Sequence, residues 1–297
     1  MKQFPPIPDD VRYRAGFLTP SEQNDLWRAA ILLADSRGLL MRMSALFGRQ
    51  VEALRGQVFK TGGKIGGATW ADLNQRVQGA VEDVLWNAYE VATFGLEETP
   101  QIMRPKAPRG NTLHRLATTA SGGASGFVGL PGILLDIPFT TAMILRTIAE
   151  VARDHGESLT NEDTKRACLG VLAFGGLSDA DEDSETGHWA ARLGMNHLAL
   201  SVLIKSAAAR FGVVLSEKLV AQAVPLVGAV SGAVLNYGFT SHYQKMAQVQ
   251  FCVRAIERRA VEPGRVRNCF DEMVMAARAR RKFARRAPVA TRILIRG

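Results

Sequence analysis

Apolar residues recur every three to four positions along most of this chain, which is the spacing of one face of an α-helix. Runs with this spacing occupy six stretches: 19–34, 39–59, 72–94, 137–151, 159–174 and 193–251. Aromatic residues make up 7% of the chain, and abundant alanine, glycine and leucine favour packed helices over a β sandwich. The pattern therefore predicts an all-α fold, a bundle of antiparallel helices with glycine-rich helical hairpins at its core.

Changes in composition predict the domain boundaries. Residues 1–18 are polar and proline-rich, and we expect them to form a flexible or loosely docked N-terminal arm. The helical domain then covers 19–264, and the Pro263-Gly264 pair separates it from a basic amphipathic C-terminal helix and tail at 265–297. A chain of 297 residues with 47% hydrophobic content can bury a sizeable core.

Two helix starts carry clear capping signals. Thr19, Pro20 and Glu22 are spaced as the N-cap, first and third residues of a capping box. A later helix is entered from Thr160 or Asn161, with two carboxylates in its first turn, where they interact well with the helix dipole.

The helix over 137–151 carries charges on an otherwise apolar surface. We expect it to start at Asp136, two residues before Pro138, with the carboxylate near the first backbone amides. Arg146 and Glu150 are one turn apart and can pair along the helix. An isolated buried charge is costly, so we interpret the two as a structural ion pair, with a ligand-binding pair as the alternative.

Glycines are concentrated before this helix and again near residue 230. Two pairs have the GxxxG spacing, which lets helix backbones approach closely and predicts that the two segments face each other. A phosphate-cradling loop is the alternative, but such a loop follows a strand, and no strand pattern precedes these glycines. The predicted close-packing positions are Gly122, Gly126, Gly129, Gly132, Gly228 and Gly232.

Three motif-like stretches lack a residue that their chemistry requires. Residues 60–70 resemble a phosphate-binding loop, but Ile65 stands where serine or threonine would hold magnesium. Residues 178–194 open like a calcium loop, but Ala190 occupies the position of its bidentate glutamate. His188 and His197 do not have the one-turn spacing of a helical metal pair. We therefore assign no metal, no cofactor and no catalytic residue.

The basic residues are concentrated at the C-terminus. Of a formal net charge of +9, residues 277–297 contribute eight positive charges and no negative one, which leaves +1 for 1–276. A tail of this kind predicts binding to an anionic surface, either acidic lipid or nucleic acid. Its helical part has the amphipathic pattern of a helix lying on a membrane, with a solvated end of the bundle as the alternative. We assign anionic-surface binding to Arg278, Arg280, Arg281, Lys282, Arg285 and Arg286.

Residues 219–244 contain no Asp, Glu, Lys or Arg, a length that could cross a bilayer. Polar residues within the stretch favour a buried helical hairpin over a span.

The three cysteines are far apart, which indicates reduced thiols in a reducing compartment. The N-terminus also lacks the apolar core of a secretory signal. We expect a cytoplasmic protein, peripheral to the inner membrane.

Three segments together resemble the EcsC protein family of bacteria. They are the glycine-rich stretch that leads through Asp-Ile-Pro to Leu-Arg-x-Ile-x-Glu at 118–156, the acidic turn with its following arginine at 178–193, and the segment from Lys218 to Asn236 and Tyr237. In the second segment His188 stands in place of an aromatic residue that proteobacterial members carry. The likeness is good over 112–253 and weak over 20–100. The polar positions that match the family motifs are Asp136, Arg146, Glu150, Arg192, Lys218 and Asn236.

The resemblance implies a helical domain and no particular reaction. The family takes its name from a gene beside an ABC transporter operon. Some members carry protease labels, but this chain contains no protease motif such as HExxH or GxSxG. We therefore expect a non-enzymatic helical protein on the cytoplasmic face of the membrane, in an accessory or partner-binding role.

Two other functions stay open as alternatives. The first is a peptidase-like hydrolase that uses Asp136, Glu150 and a histidine. The second is nucleic-acid binding through the basic tail, which is disfavoured because Phe283 is the tail's only aromatic residue.

Overall fold

The computed structural model describes residues 4–35, 70–96, 130–174, 199–209 and 227–286. Within these ranges the chain forms helices and no strand, so the predicted all-α fold is confirmed. The helices, numbered in chain order, are α1 Asp9–Arg14, α2 (20–35), α3 Trp70–Thr93, α4 Leu130–Asp154, α5 Glu162–Phe174, α6 (200–209), α7 Val227–Glu257 and α8 Pro263–Arg286.

The two central helices are α4 and α7. Helices α3 and α5 pack on α4, and α7 contacts α4, α5 and α8. Ile144, Leu145 and Ile148 of α4 are fully buried, as are Phe251 of α7 and Phe270 of α8. Burying a large apolar side chain stabilises the fold by about 1.5 to 3 kcal/mol. The core therefore lies around these two helices, and the remaining helices cover it.

The start of α2 has the predicted capping box. The Thr19 backbone amide and hydroxyl donate to Glu22 Oε2 at 3.0 and 2.8 Å, and the Glu22 amide donates to Thr19 Oγ1 at 3.3 Å. The start of α5 is also confirmed, because the Asp163 amide donates to Asn161 Oδ1 at 2.8 Å. Local capping chemistry located both starts correctly.

The start of α4 differs from the prediction. The helix begins at Leu130, so Asp136 and Pro138 lie inside it and its first turn contains no acid. Pro131, in the first turn, has no amide hydrogen to lose and suits that position. Pro138 removes one backbone hydrogen bond from the helix interior, and the helix continues through it. The Asp136-Pro138 start was therefore wrong by about two turns.

The N-terminal segment lies against the bundle. We expected residues 1–18 to form a flexible or loosely docked arm, and the structure shows it docked, because helix α1 contacts α8 and Val11 and Ala15 are buried. The Trp27 indole Nε1 donates to the Pro5 carbonyl at 2.7 Å. Burial of these apolar side chains offsets the entropy of ordering the segment.

The proposed glycine-rich hairpins are only partly covered. Gly132 lies in α4, and Gly228 and Gly232 lie in α7, whereas Gly122, Gly126 and Gly129 are outside the described residues. The uncharged stretch 219–244 is described from 227 onward, as part of α7. None of the helices in the described ranges is long and apolar enough to span a bilayer.

Candidate functional site

A buried carboxylate joins the carboxyl ends of the two central helices. Glu157, in the turn after α4, accepts hydrogen bonds from Arg254 Nε at 3.0 Å and from Thr164 Oγ1 at 3.1 Å. Arg258 donates to the same carboxylate through Nη1 and to the His155 carbonyl through Nη2 at 2.7 Å. Because both arginines are at or just beyond the end of α7, the packed helices α4 and α7 run in the same direction.

The surroundings of Glu157 favour its ionised form. Its side chain is 6% exposed, and desolvation alone would raise the pKa. Hydrogen bonding and charge from Arg254, with further contributions from Arg258 and Thr164, outweigh desolvation and hold the pKa of Glu157 below its ordinary value. The carboxylate is thus a structural counter-ion for two arginines.

Other arginines at this end of the bundle also have carboxylate partners. Arg267 donates to Glu257, and Arg259 lies 3.7 Å from Glu22. We call this end, which contains the turns 155–161 and 258–262, the paired pole. Among the described residues, most of the arginines at this pole are therefore compensated by a nearby carboxylate.

The opposite end of the bundle contains cations that have no carboxylate partner among the described residues. Helices α7 and α8 are joined by a short turn and pack together, so α8 runs back along α7. Its 24 residues span about 36 Å, which brings its last turns beside the first third of α7. The amino ends of α4 and α7 and the carboxyl end of α8 therefore share one end, which we call the basic pole.

Two cations at the basic pole have no carboxylate partner within the part of the chain that the structure describes. They are Arg280, which is partly exposed, and Lys282, which is exposed. Phe283 beside them is 65% exposed, and Met275, about two turns earlier in α8, is also exposed. The surface of α8 here combines positive charge with accessible apolar groups.

Not every predicted surface cation is free. Arg281 Nη1 donates to the Ala34 carbonyl, and its Nε lies 3.7 Å from Asp35 Oδ1. Arg278 lies close enough to Asp271 to lower that carboxyl's pKa, although desolvation is the larger influence and the net pKa is raised. Arg285 and Arg286 belong to the last turn of α8, and their side chains lie outside what the structure describes.

The apolar face of α8 is turned into the bundle. Val266, Phe270, Met273 and Val274 are buried, so this face is not available to lie on a membrane. The expectation of a helix lying flat on the surface is therefore wrong, and α8 is a bundle helix with a basic end. An amphipathic pattern alone cannot separate these cases, because both bury one apolar face.

Arg146 closes the carboxyl end of α3. Its Nη1 donates to the carbonyls of Ala92 at 3.0 Å and Phe94 at 2.9 Å, and its Nε lies 3.7 Å from Glu150 Oε1. Gly95 follows with φ +71°, the left-handed conformation common after a helix end. The predicted pairing of Arg146 with Glu150 is present, and the arginine acts as a cap.

The described residues offer little for nucleophilic chemistry. Desolvation raises the pKa of all three thiols, to about 12 for Cys252 and about 11 for Cys269, and also for buried Cys168. A raised pKa disfavours the thiolate, which is the reactive form. His242 is buried in α7. No group of three or more potential metal ligands occurs within the described ranges.

The other predicted site residues are only partly covered. Arg192 and Lys218 lie outside the described residues. Asp136 and Asn236 are placed as backbone positions in α4 and α7, without a described side chain. Because these helices run in the same direction with their carboxyl ends together, the two positions lie at a similar height toward the basic pole.

A model of the EcsC protein family matches residues 65–256. The chain belongs to the EcsC protein family. The EcsC region contains α3 to α6 and all but the last residue of α7, and it leaves α1, α2 and α8 outside. Searches of curated proteins and of solved structures found no match.

The sequence patterns did not reveal the residues that join the carboxyl ends of α4 and α7 at the paired pole. Glu157 lies inside the EcsC region and Arg258 just outside it, so no single motif contains both. The local signal was the His155-Gly156 pair that ends α4, which predicts a turn but not a partner about a hundred residues away.

Proposed function

We propose that this EcsC protein is a non-enzymatic helical protein that docks its basic pole on the anionic cytoplasmic face of a membrane, in an accessory or partner-binding role. The observation that carries the proposal is the unequal charge at the two poles. Four arginines at the paired pole (Arg254, Arg258, Arg259 and Arg267) have carboxylate partners and Arg265 lies against the Phe17 ring, whereas Arg280 and Lys282 have no acidic partner within the described ranges.

The size of the expected attraction is appreciable. A cation near an anionic lipid surface contributes about 1 kcal/mol, and the effect falls off within a Debye length of about 8 Å at physiological salt. Between 278 and 286 the sequence has six basic residues and no acid (Arg278, Arg280, Arg281, Lys282, Arg285 and Arg286). Because Arg281 is held by α2, we expect the others to supply most of the attraction.

The glycine-rich segments support the same orientation. Gly132, Gly228 and Gly232 lie in the amino-terminal parts of α4 and α7, which reach the basic pole. Residues 219–236 contain no charged side chain. We propose that these segments pack together at the basic pole or insert shallowly, next to the cations that attract the surface.

An exposed apolar residue favours lipid over nucleic acid. Phe283 projects from the basic end of α8, and an apolar group among cations gains free energy in the boundary between headgroups and acyl chains. Single-strand binders instead interleave several stacking aromatics with their cations. The hydrolase alternative has no supporting observation among the described residues, because Arg146 and Glu150 serve as a cap and its counter-ion.

Vesicle flotation tests the proposal. The purified full-length protein is mixed with anionic or neutral liposomes, floated, and then washed with salt and with carbonate. We expect flotation with anionic vesicles only and release by salt. Resistance to carbonate would indicate that the glycine-rich segments insert. If nothing floats while DNA is retained in a salt-dependent shift assay, the nucleic-acid alternative replaces this proposal.

A further inference from the structure

The two ends of the chain pack against each other outside the EcsC region. Arg14 of α1 donates from Nε to Glu272 of α8 at 2.6 Å. The Arg265 guanidinium lies 4.3 Å from the centroid of the Phe17 ring. These contacts join residues more than two hundred positions apart, so α1 and α8 form one layer on the surface of the family domain.

Helix α2 belongs to the same layer and runs beside α8. Near the paired pole, Glu22 lies 3.7 Å from Arg259, just before α8. Toward the basic pole, Arg281 donates to the Ala34 carbonyl and lies 3.7 Å from Asp35. The last turns of α8 are therefore fixed by a side chain that the sequence alone would assign to the anionic surface.

Neighbouring residues on α8 have opposite environments. The Arg281 side chain is 24% exposed and bonded to α2, whereas Lys282 is exposed and Phe283 is 65% exposed. Successive residues of an α-helix point about 100° apart, which allows one residue to face the bundle and the next two to face outward. Charge alone does not distinguish Arg281 from Lys282, but position does.

We propose that the chain's two ends form a docking layer in which Arg281 positions the last turns of α8 while Lys282 and Phe283 contact the anionic lipid surface. This inference rests on the proposed function. It adds Lys282 and Phe283 as the residues that contact the lipid, with the Phe283 ring as the apolar anchor, and Arg281 as the positioning residue. The phenyl ring enters the headgroup region, and the neighbouring cations hold the lipid phosphates around it.

The test compares Arg281→Ala, Lys282→Ala and Phe283→Ala in the full-length protein. The first two remove the same charge, so any difference between them reports position. Arg281→Ala is expected to lower the thermal midpoint and to speed chymotryptic cleavage at Phe283, while Lys282→Ala leaves both unchanged. On anionic vesicles Lys282→Ala should weaken binding about fivefold. Phe283→Ala should weaken binding about three- to tenfold, with an unchanged salt dependence.

A second measurement places residue 283 directly. In Phe283→Trp, binding to vesicles with brominated acyl chains should quench the added fluorescence, by comparison with the wild-type background. If the variant floats but its added emission is unquenched, the docking layer is wrong and the proposed function stands. Equal effects of Arg281→Ala and Lys282→Ala on stability and on vesicle binding would also contradict the proposed docking layer. If wild-type protein does not float, both proposals fail together.

Discussion

Replacing Glu157 with glutamine tests the account of the paired pole. The substitution keeps the size of the side chain and removes the charge that faces Arg254 and Arg258. The carboxylate is 6% exposed and accepts from Arg254 Nε at 3.0 Å and Thr164 Oγ1 at 3.1 Å. The two guanidinium groups would then share a neutral acceptor at the place where α4, α5 and α7 meet.

The expected loss follows from burial. Removing one partner of a buried ion pair costs about 3 to 5 kcal/mol, because the remaining charge is left without compensation. Arg258 is 40% exposed, so water can solvate part of its charge and the loss is reduced. Glutamine also retains one acceptor oxygen. We therefore expect a fall of about 2 to 3 kcal/mol in the free energy of unfolding at neutral pH.

Urea unfolding followed by circular dichroism measures this difference, and its pH dependence checks the mechanism. The folded-state pKa of Glu157 is lowered, so its stabilisation is present above the unfolded pKa of about 4.3 and is lost as pH falls through the folded pKa. The difference in the free energy of unfolding between wild type and Glu157→Gln should be constant above about pH 5.5 and should become smaller below about pH 4.

The matched control for this experiment is Glu162→Gln, at an exposed carboxylate in the first turn of α5. This substitution should lower the free energy of unfolding by less than about 1 kcal/mol, because an exposed acid at a helix start interacts only with the helix dipole. A loss for Glu157→Gln no larger than that of the control would refute the reasoning. So would a gap that stays constant down to acid pH.

Further predictions concern the caps. Arg146→Ala should lower the free energy of unfolding by about 2 to 3 kcal/mol, because the carbonyls of Ala92 and Phe94 lose a charged donor; Arg146→Lys should recover part of that loss in the same urea assay. Gly156 has φ +78° and its amide donates to the Arg153 carbonyl at 2.9 Å. Gly156→Ala should therefore cost about 1 to 2 kcal/mol, whereas Gly170→Ala, inside α5 with nothing near the added carbon, should be neutral or stabilising by up to about 1 kcal/mol. Equal effects at the two glycines would contradict the assigned helix end.

Local chemistry could be predicted from the sequence wherever donor and acceptor are close along the chain. The Thr19-Glu22 capping box and the Asn161 cap involve residues at most three positions apart, and both are present as expected. The all-α class followed from apolar spacing for the same reason. The start of α4 was misplaced because Asp136 and Pro138 suit a helix start locally, whereas the helix begins at Leu130, where Pro131 suits the first turn equally well.

Contacts between distant elements could not be predicted in the same way. The pairing of Glu157 with Arg254 and Arg258 requires knowing that α4 and α7 end at the same place. Arg281 belongs to a run of cations, and only the position of α2 separates it from Lys282. The Arg146-Glu150 spacing predicted a pair, but not that the guanidinium would cap α3.

The most direct test of the basic pole is flotation of two variants that have the same net charge. Lys282→Glu reverses an exposed cation at the basic pole, and Arg265→Glu reverses an exposed cation at the opposite end of α8 that also has no carboxylate partner among the described residues. We expect the first variant to weaken flotation with anionic vesicles strongly and the second to leave it close to wild type. Equal loss in both would show that overall charge, and not the basic pole, determines binding.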